Sequence, residues 1–100
     1  MSAITKSARG QECMVRIPEI CNFNPETTIL AHLEGGGMGR KMSDLFGAYC
    51  CSDCHTALDG GIPDGVRFVD RLSPDARRLL HLDGVVRTQI ILLEEGFIKI

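Results

Sequence analysis

The sequence predicts a small α+β domain, and three observations lead to this prediction. Two short segments rich in β-branched, aromatic and other apolar residues, TTILAHL at 27–33 and LFGAYC at 45–50, have the composition of strands. Residues 52–58 would then begin a short helix, which Gly60 and Gly61 would end. A longer segment that starts at Ser73 carries apolar residues at helical spacing.

The long C-terminal segment has clear signals for the start of a helix. Ser73 is a good N-cap, Pro74 suits the first helical position, and Asp75 favours the positive end of the helix. The pattern indicates one helix through Leu93 or two helices broken at residues 82–84, followed by a tail at 96–100 that could form an edge strand. One apolar face is predicted to enter the core, with a small self-association surface as the alternative; it comprises Ala76, Leu79, Leu80, Val86, Ile90 and Leu93.

The length and composition bound the domain organisation and the cellular compartment. A chain of 100 residues is expected to form a single domain over 9–100, preceded by a flexible arm at residues 1–8. No apolar run approaches the roughly 18 residues of a membrane span, and the first residues lack the apolar core of a signal peptide. We therefore expect a soluble, cytoplasmic protein with no membrane partner. The net charge of −2 does not indicate nucleic-acid binding and leaves it to local patches.

The five cysteines favour a metal site over disulfides, because the cytoplasm is reducing and their number is odd. Cys51 and Cys54 form a C-x-x-C pair, while Cys13 and Cys21 are separated by the seven residues MVRIPEI. Two such pairs can supply the four thiolates of a tetrahedral structural zinc site. The alternative is that these are small buried residues and exposed thiols without metal. Cys50 is expected to be a core-facing strand residue.

The glycine-rich segment EGGGMGRKMSD at 34–44 does not match a nucleotide-binding loop. In a phosphate-binding P-loop a lysine and a hydroxyl residue follow the last glycine, whereas here Arg40 intervenes before Lys41 and Met42 takes the hydroxyl position. A glycine loop with two adjacent cations suits a nucleic-acid phosphate instead. Arg40 and Lys41 are therefore our candidates for phosphate contacts.

The histidines and one aspartate suggest a second metal site. On a helix, His55 and Asp59 lie four residues apart on one face and could bind one divalent ion together. His32 lies on the first predicted strand, on the same face as Leu30, and a histidine is a suitable base for deprotonating water. Taken alone, each has an ordinary structural explanation. His81 is expected to face solvent or a DNA backbone.

This set of residues resembles a known group of nucleases. The order Cys13, Cys21, His32, Cys51-x-x-Cys54-His55 and Asp59 is similar to the zinc-stapled HNH, or ββα-metal, pattern of the His-Me finger class. The segments from ARGQECM to GGGMGRK and CSDCHTALDG resemble the YbcO-like nuclease family of phages and prophages over residues 8–60, and more weakly beyond. The class carries an asparagine that steadies the loop bearing the base, and Ser43 or Asp44 is the nearest counterpart.

The resemblance implies a fold, a chemistry and a set of roles. The fold would be a zinc-stapled ββα-metal core with an additional C-terminal helix, and the activity metal-dependent hydrolysis of DNA phosphodiester bonds in phage DNA metabolism or recombination. His32 would be the general base, and His55 with Asp59 would hold a catalytic Mg²⁺ or Mn²⁺. Structural Zn²⁺ would be held by Cys13, Cys21, Cys51 and Cys54.

Two other functions stay open at this point. One is a non-catalytic, zinc-stabilised module that binds DNA or protein. The other is an adaptor that binds a phage or host recombination protein through the C-terminal helix, with homo-oligomers also possible. The catalytic interpretation requires His32 to face His55 and Asp59 across an open cleft.

Overall fold

A computed structural model describes residues 3–33, 43–61 and 73–98 of the chain. Three helices and two strands follow one another as α1 (Ala3–Ser7), β1 (Ile29–His32), β2 (Gly47–Cys50), α2 (Ser52–Leu58) and α3 (Pro74–Glu94). The predicted α+β class is therefore confirmed. Within these ranges, the helices lack the combination of length and apolar character that crossing a bilayer requires.

Both strands are shorter than the sequence predicts, because a 3₁₀ turn precedes each of them. Pro25–Thr27 forms the first turn, where the Asn24 side chain accepts a hydrogen bond from the backbone N–H of Glu26. Asp44–Phe46 forms the second turn. At the first turn, local side-chain capping thus outcompetes the strand propensity of the residues that follow Asn24.

The two strands pair antiparallel, with Leu30 opposite Tyr49 and His32 opposite Gly47. Both faces of this small sheet are buried. Leu30 and Tyr49 pack on one face together with Ala8, Met14 and Leu92, while Ala31, Ala48 and Cys50 pack on the other with the cysteine-rich loop and Val85. The hydroxyl of Ser7 donates to the carbonyl of Ile4 (2.6 Å), so the Tyr49 hydroxyl donates to Ser7 Oγ (2.8 Å).

Helix α3 packs against the outer edge of β2 through small residues. Thr88 Oγ1 accepts the backbone N–H of Tyr49 (2.9 Å) and donates to the carbonyl of Gly84 (2.8 Å), which satisfies an otherwise unpaired strand donor. At Gly84 an added Cβ would lie 2.7 Å from Val15 Cγ2 and 3.1 Å from Ala48 Cβ. The absence of a side chain at Gly84 is what lets the helix approach this closely.

The apolar face predicted for the long helix is not the one that the structure buries. The helix is continuous and begins as predicted, with the Ser73 side chain accepting from the N–H of Ala76. Its buried residues are Gly84, Val85, Thr88 and Leu92. Four of the six predicted core residues stay largely exposed: Leu79 63%, Val86 56%, Ile90 51% and Leu93 40%. Leu80 is partly buried and packs against the core, as predicted. Periodicity identified the more hydrophobic face, but close packing against β2 selected the face with the smaller side chains.

Both ends of the described chain also differ from the sequence prediction. Residues 3–8, predicted as part of a flexible arm, form α1 and the buried residue Ala8, which packs beside Leu30 and Tyr49. At the other end, residues 96–98 do not form the expected edge strand. Gly96 (φ +81°) turns the chain back, so that the N–H groups of Phe97 and Ile98 bond the carbonyl of Leu92 (2.9 and 3.2 Å).

Candidate active site and cysteine cluster

Four cysteines converge beside the sheet. The sulfur atoms of Cys13, Cys21, Cys51 and Cys54 all lie within 4.8 Å of one another. The sulfur atoms of Cys21 and Cys51 are 3.9 Å apart. A tetrahedral Zn²⁺ with Zn–S distances of about 2.3 Å places its sulfurs about 3.8 Å apart. The four side chains therefore fit a metal ion such as zinc with only small adjustments.

The loop between Cys13 and Cys21 reaches this arrangement by an unusual backbone path. Arg16 and Glu19 both adopt the left-handed region, with φ of 51° and 65°. Non-glycine residues seldom adopt such values, so the surrounding structure must hold them in place. The loop tightens at its start, where the N–H of Arg16 donates to Cys13 Sγ (3.5 Å). These two reversals let a pair with a seven-residue gap converge, which spacing alone did not guarantee.

The second pair is positioned by the start of α2. Cys51 is the N-cap, and its sulfur accepts the N–H of Cys54 (3.4 Å). Both residues are fully buried, whereas Cys21 is half-buried. Burial raises the pKa of Cys21 to about 11, while hydrogen bonds from the thiols of Cys50 and Cys54 hold the pKa of Cys13 well below its usual range.

Cys50 is buried on β2 beside the cluster, as expected for a core-facing strand residue. Its S–H donates to the carbonyl of Cys51 (3.4 Å). Neighbouring thiols, Cys13 first among them, raise the pKa of Cys50 far above the usual range. It therefore behaves as a packed, protonated thiol rather than as a fifth ligand.

A cleft of about 310 Å³ lies between β1, α2 and the first turns of α3. His32, His55 and Asp59, the three residues singled out for the catalytic site, all line it. It is open to solvent, as a site for a polymeric substrate must be. The rest of its wall is formed by Ala31, Leu58, Pro74, Arg77, Arg78 and His81.

His32 is held at its outer nitrogen by an acidic residue. Its Nε2 lies 2.5 Å from Oδ1 of Asp44, and the other carboxylate oxygen accepts from Thr5 Oγ1 (3.2 Å). Both side chains of the His32–Asp44 pair are largely shielded from solvent, with exposures of 20% and 28%. Of the two nearest counterparts of the class's asparagine, Ser43 and Asp44, the structure brings Asp44 to the histidine.

His55 and Asp59 come together at the far end of α2. His55 is in the helix and Asp59 is its C-cap, which places His55 Nε2 3.7 Å from Asp59 Oδ2. These side chains are 41% and 70% exposed. Across residues 3–33, 43–61 and 73–98, only the cysteines form a group of three or more potential ligands.

His81, expected to face solvent or a DNA backbone, is half-buried in the wall of the open cleft. Its Nε2 is 2.8 Å from the carbonyl oxygen of Ala31, the residue before His32. Burial lowers the pKa of His81, and the positive charges of Arg78 and His55 act in the same direction. A neutral imidazole that donates to Ala31 thus ties α3 to the strand that carries the candidate base.

Arg77 is the other cleft residue that sequence reasoning did not assign. The adjacent Arg77–Arg78 pair was visible in the sequence, but its proximity to His55 and Asp59 depends on how α3 packs. The candidates for phosphate contacts, Arg40 and Lys41, lie outside the described residues.

Three comparisons with known proteins give consistent results. The family model described as "Putative nuclease YbcO" matches residues 2–97. The chain is 43% identical over 102 residues to proteins with that description from Escherichia coli K12 and from Enterobacteria phage 82, covering 99% of each chain. A solved structure of a "putative bacteriophage protein" from E. coli K-12 is 44% identical, with a TM-score of 0.69 and coverage of 93% of this chain and 99% of that one.

The match therefore spans nearly the whole chain, including the four cysteines and the cleft. A phage protein among the relatives agrees with the phage association that the sequence resemblance implied. The chain belongs to the YbcO family.

Proposed function

We propose that the protein is a metal-dependent DNA endonuclease of the HNH, or ββα-metal, type. The observation that carries the proposal is the common cleft of His32, His55 and Asp59, at the end of β1 and along α2. A base and a carboxylate–imidazole pair facing one open space are the groups needed to hydrolyse a phosphodiester. The names of the relatives agree with this class of reaction.

His32 acts as the general base. With Nε2–H donating to Asp44, the lone pair of Nδ1 is available to take a proton from water. The hydroxide formed attacks phosphorus, the P–O bond to the leaving oxygen breaks, and the electron pair of that bond stays on the oxygen. Asp44 and Thr5 act through His32 by fixing the orientation of its ring.

His55 and Asp59 are the residues that would hold the catalytic divalent ion, Mg²⁺ or Mn²⁺. A nitrogen and a carboxylate oxygen with open positions beside them suit an ion that must also accept substrate oxygens. When bound, such an ion neutralises the charge that develops on the phosphate oxygens. The cysteine cluster would have a separate, structural role, because four thiolates complete the tetrahedral coordination of zinc and leave no position for water or substrate.

The proposed substrate is DNA, and the proposed setting is phage or prophage DNA metabolism or recombination in the cytoplasm. Arg40 and Lys41 remain proposed contacts to the phosphate backbone. A direct test is incubation of the zinc-loaded protein with linear, nicked and branched DNA in Mg²⁺ or Mn²⁺. We expect cleavage that falls by about 10²–10⁴-fold in His32→Ala, the usual contribution of a positioned general base.

The control for this test is a protein whose fold and zinc content are intact. His32→Ala should keep the wild-type zinc stoichiometry and unfold cooperatively, because the side chain lies at the cleft and not in either core cluster. Its loss of stability should be limited to about 1–3 kcal/mol, from the broken contact with Asp44. Cleavage that is equal in wild type and His32→Ala would refute the mechanism. Binding without cleavage of any of the three DNA forms would instead indicate the non-catalytic binding module.

A further inference from the structure

We infer that Arg77 on α3 binds a phosphodiester group of the nucleic-acid backbone at the cleft, beside the proposed metal pair. The inference rests on the proposed function for the identity of the polymer. Its own basis is the surroundings of the Arg77 guanidinium. Nothing in the sequence pattern or the family comparisons assigns this residue a role.

The guanidinium of Arg77 is placed where a protein partner is missing. Its Nε atom is buried and has no hydrogen-bond partner. Among the described residues, no acidic side chain forms an ion pair with it. A buried, unpaired donor costs about 1–3 kcal/mol, and more when it is charged. A buried donor without a partner in a native fold calls for an explanation, and a bound anion supplies one.

The position of this charge points to an anion at the cleft. Arg77 lines the same cavity as His55 and Asp59. Gly60, which follows Asp59, makes room for the guanidinium: a Cβ there would lie 2.6 Å from Arg77 Nη1. The guanidinium of Arg77 therefore lies over the C-terminal end of α2, next to Asp59 of the proposed metal pair.

The balance of charge in the cavity suits a phosphodiester. Among the described residues that line the cleft, Arg77 and Arg78 are positive and Asp59 is the acidic residue, while the half-buried His81 bonds the Ala31 carbonyl. Arginine presents several N–H donors in a planar fork that matches the oxygens of a phosphate. A backbone phosphate adjoining the scissile one would thus be held between α2 and α3.

The test compares Arg77→Gln with two matched variants. Arg77→Lys keeps the charge, and Arg9→Gln removes the same charge at an exposed position outside the cleft. Affinity for a fluorescent 20-base-pair duplex is measured by anisotropy with full-length, zinc-loaded protein and no added Mg²⁺ or Mn²⁺. The series runs from 50 to 200 mM salt, because each phosphate contact contributes about 0.9 to the slope of log affinity against log salt.

We expect Arg77→Gln to lower the magnitude of that slope by about 0.9. Between 50 and 200 mM salt, the fold-decrease in its affinity should therefore be about 3.5 times smaller than that of wild type. Arg77→Lys and Arg9→Gln should keep the wild-type slope. The melting temperature of Arg77→Gln should be equal to or above that of wild type, because the buried Nε–H that lacks a partner is removed.

An unchanged slope in Arg77→Gln, an equal decrease in Arg9→Gln, or no binding by the wild type would overturn the inference. Its failure is distinct from failure of the proposed function. A protein that binds through Arg77 but cleaves nothing refutes only the nuclease mechanism. His32-dependent cleavage with an Arg77-independent salt slope refutes only the inference.

Discussion

Removal of one cysteine ligand should abolish metal binding and most of the stability, and Cys54→Ser tests this most directly. Cys54 is fully buried, and its sulfur is within 4.8 Å of the other three. Structural zinc contributes about 10–16 kcal/mol in small metal-binding domains, whereas a whole domain is stable by only about 5–15 kcal/mol. The metal would therefore account for a share of stability comparable with the total.

The expected magnitude follows from these figures. Loss of a metal is among the few single-site changes that exceed about 4 kcal/mol. For a domain of about 100 residues, this corresponds to a fall in melting temperature of about 16–32 °C. Cys50→Ala is the matched control, because Cys50 is as buried as Cys54 in the same hydrophobic core but is not one of the four proposed zinc ligands. It should cost about 1 kcal/mol and retain the metal.

The assay combines zinc content with thermal unfolding. Purified wild type and Cys50→Ala should each contain one zinc per chain, and Cys54→Ser should contain little. Replacing zinc with Co²⁺ gives a spectroscopic measure of tetrahedral thiolate ligation in the same three proteins. Equal melting temperatures for Cys54→Ser and Cys50→Ala, or a wild type that unfolds identically with and without a chelator, would refute the structural role of the cluster.

Three further predictions concern the helix contact and the cleft. Gly84→Ala should lower the melting temperature, because the new Cβ would lie 2.7 Å from Val15 Cγ2 and overpacking costs about 1–3 kcal/mol. This cost outweighs the helix propensity of alanine, which favours the variant by about 1 kcal/mol. A higher melting temperature would contradict the close contact. Asp44→Ala should slow DNA cleavage by about 10-fold or more at unchanged zinc content, because Asp44 holds the ring of His32. The effect should be smaller than that of His32→Ala, and a wild-type cleavage rate in Asp44→Ala would argue against a positioning role. The pKa of His81 is lowered in the folded chain, so below about pH 6.5 the unfolded chain binds a proton that the folded chain resists. The free energy of unfolding should therefore decrease as the pH is lowered through that range. In denaturant titrations without added divalent ions, His81→Gln should flatten this pH dependence, and an unchanged dependence would exclude His81 as its source.

The sequence predicted the elements of the fold better than their packing. The N-cap at Ser73 and the end of α2 before Gly60 are local signals, and the structure has both where expected. The buried face of α3 was assigned wrongly, because periodicity measures hydrophobicity and not the fit of Gly84 and Thr88 against a strand edge. Such fit depends on residues far apart in the chain.

The candidate site shows the same division between local and long-range information. His55 and Asp59 are four residues apart, so helical geometry alone predicted their proximity. His81 and Arg77 were missed as cleft residues because their position depends on how α3 docks. The contact between Asp44 and His32 spans a segment that no local rule describes, although Asp44 was one of two residues considered.

The small-residue contact of α3 has a consequence for how this chain tolerates mutation. In a saturation scan of the helix, Leu79, Val86 and Ile90 should accept polar replacements readily, since more than half of each side chain is already in water. Gly84 and Thr88 should accept very few, although neither is strongly hydrophobic. Tolerance along α3 would then follow packing rather than hydropathy, because the buried stripe of Gly84, Val85, Thr88 and Leu92 mixes small and hydrophobic residues.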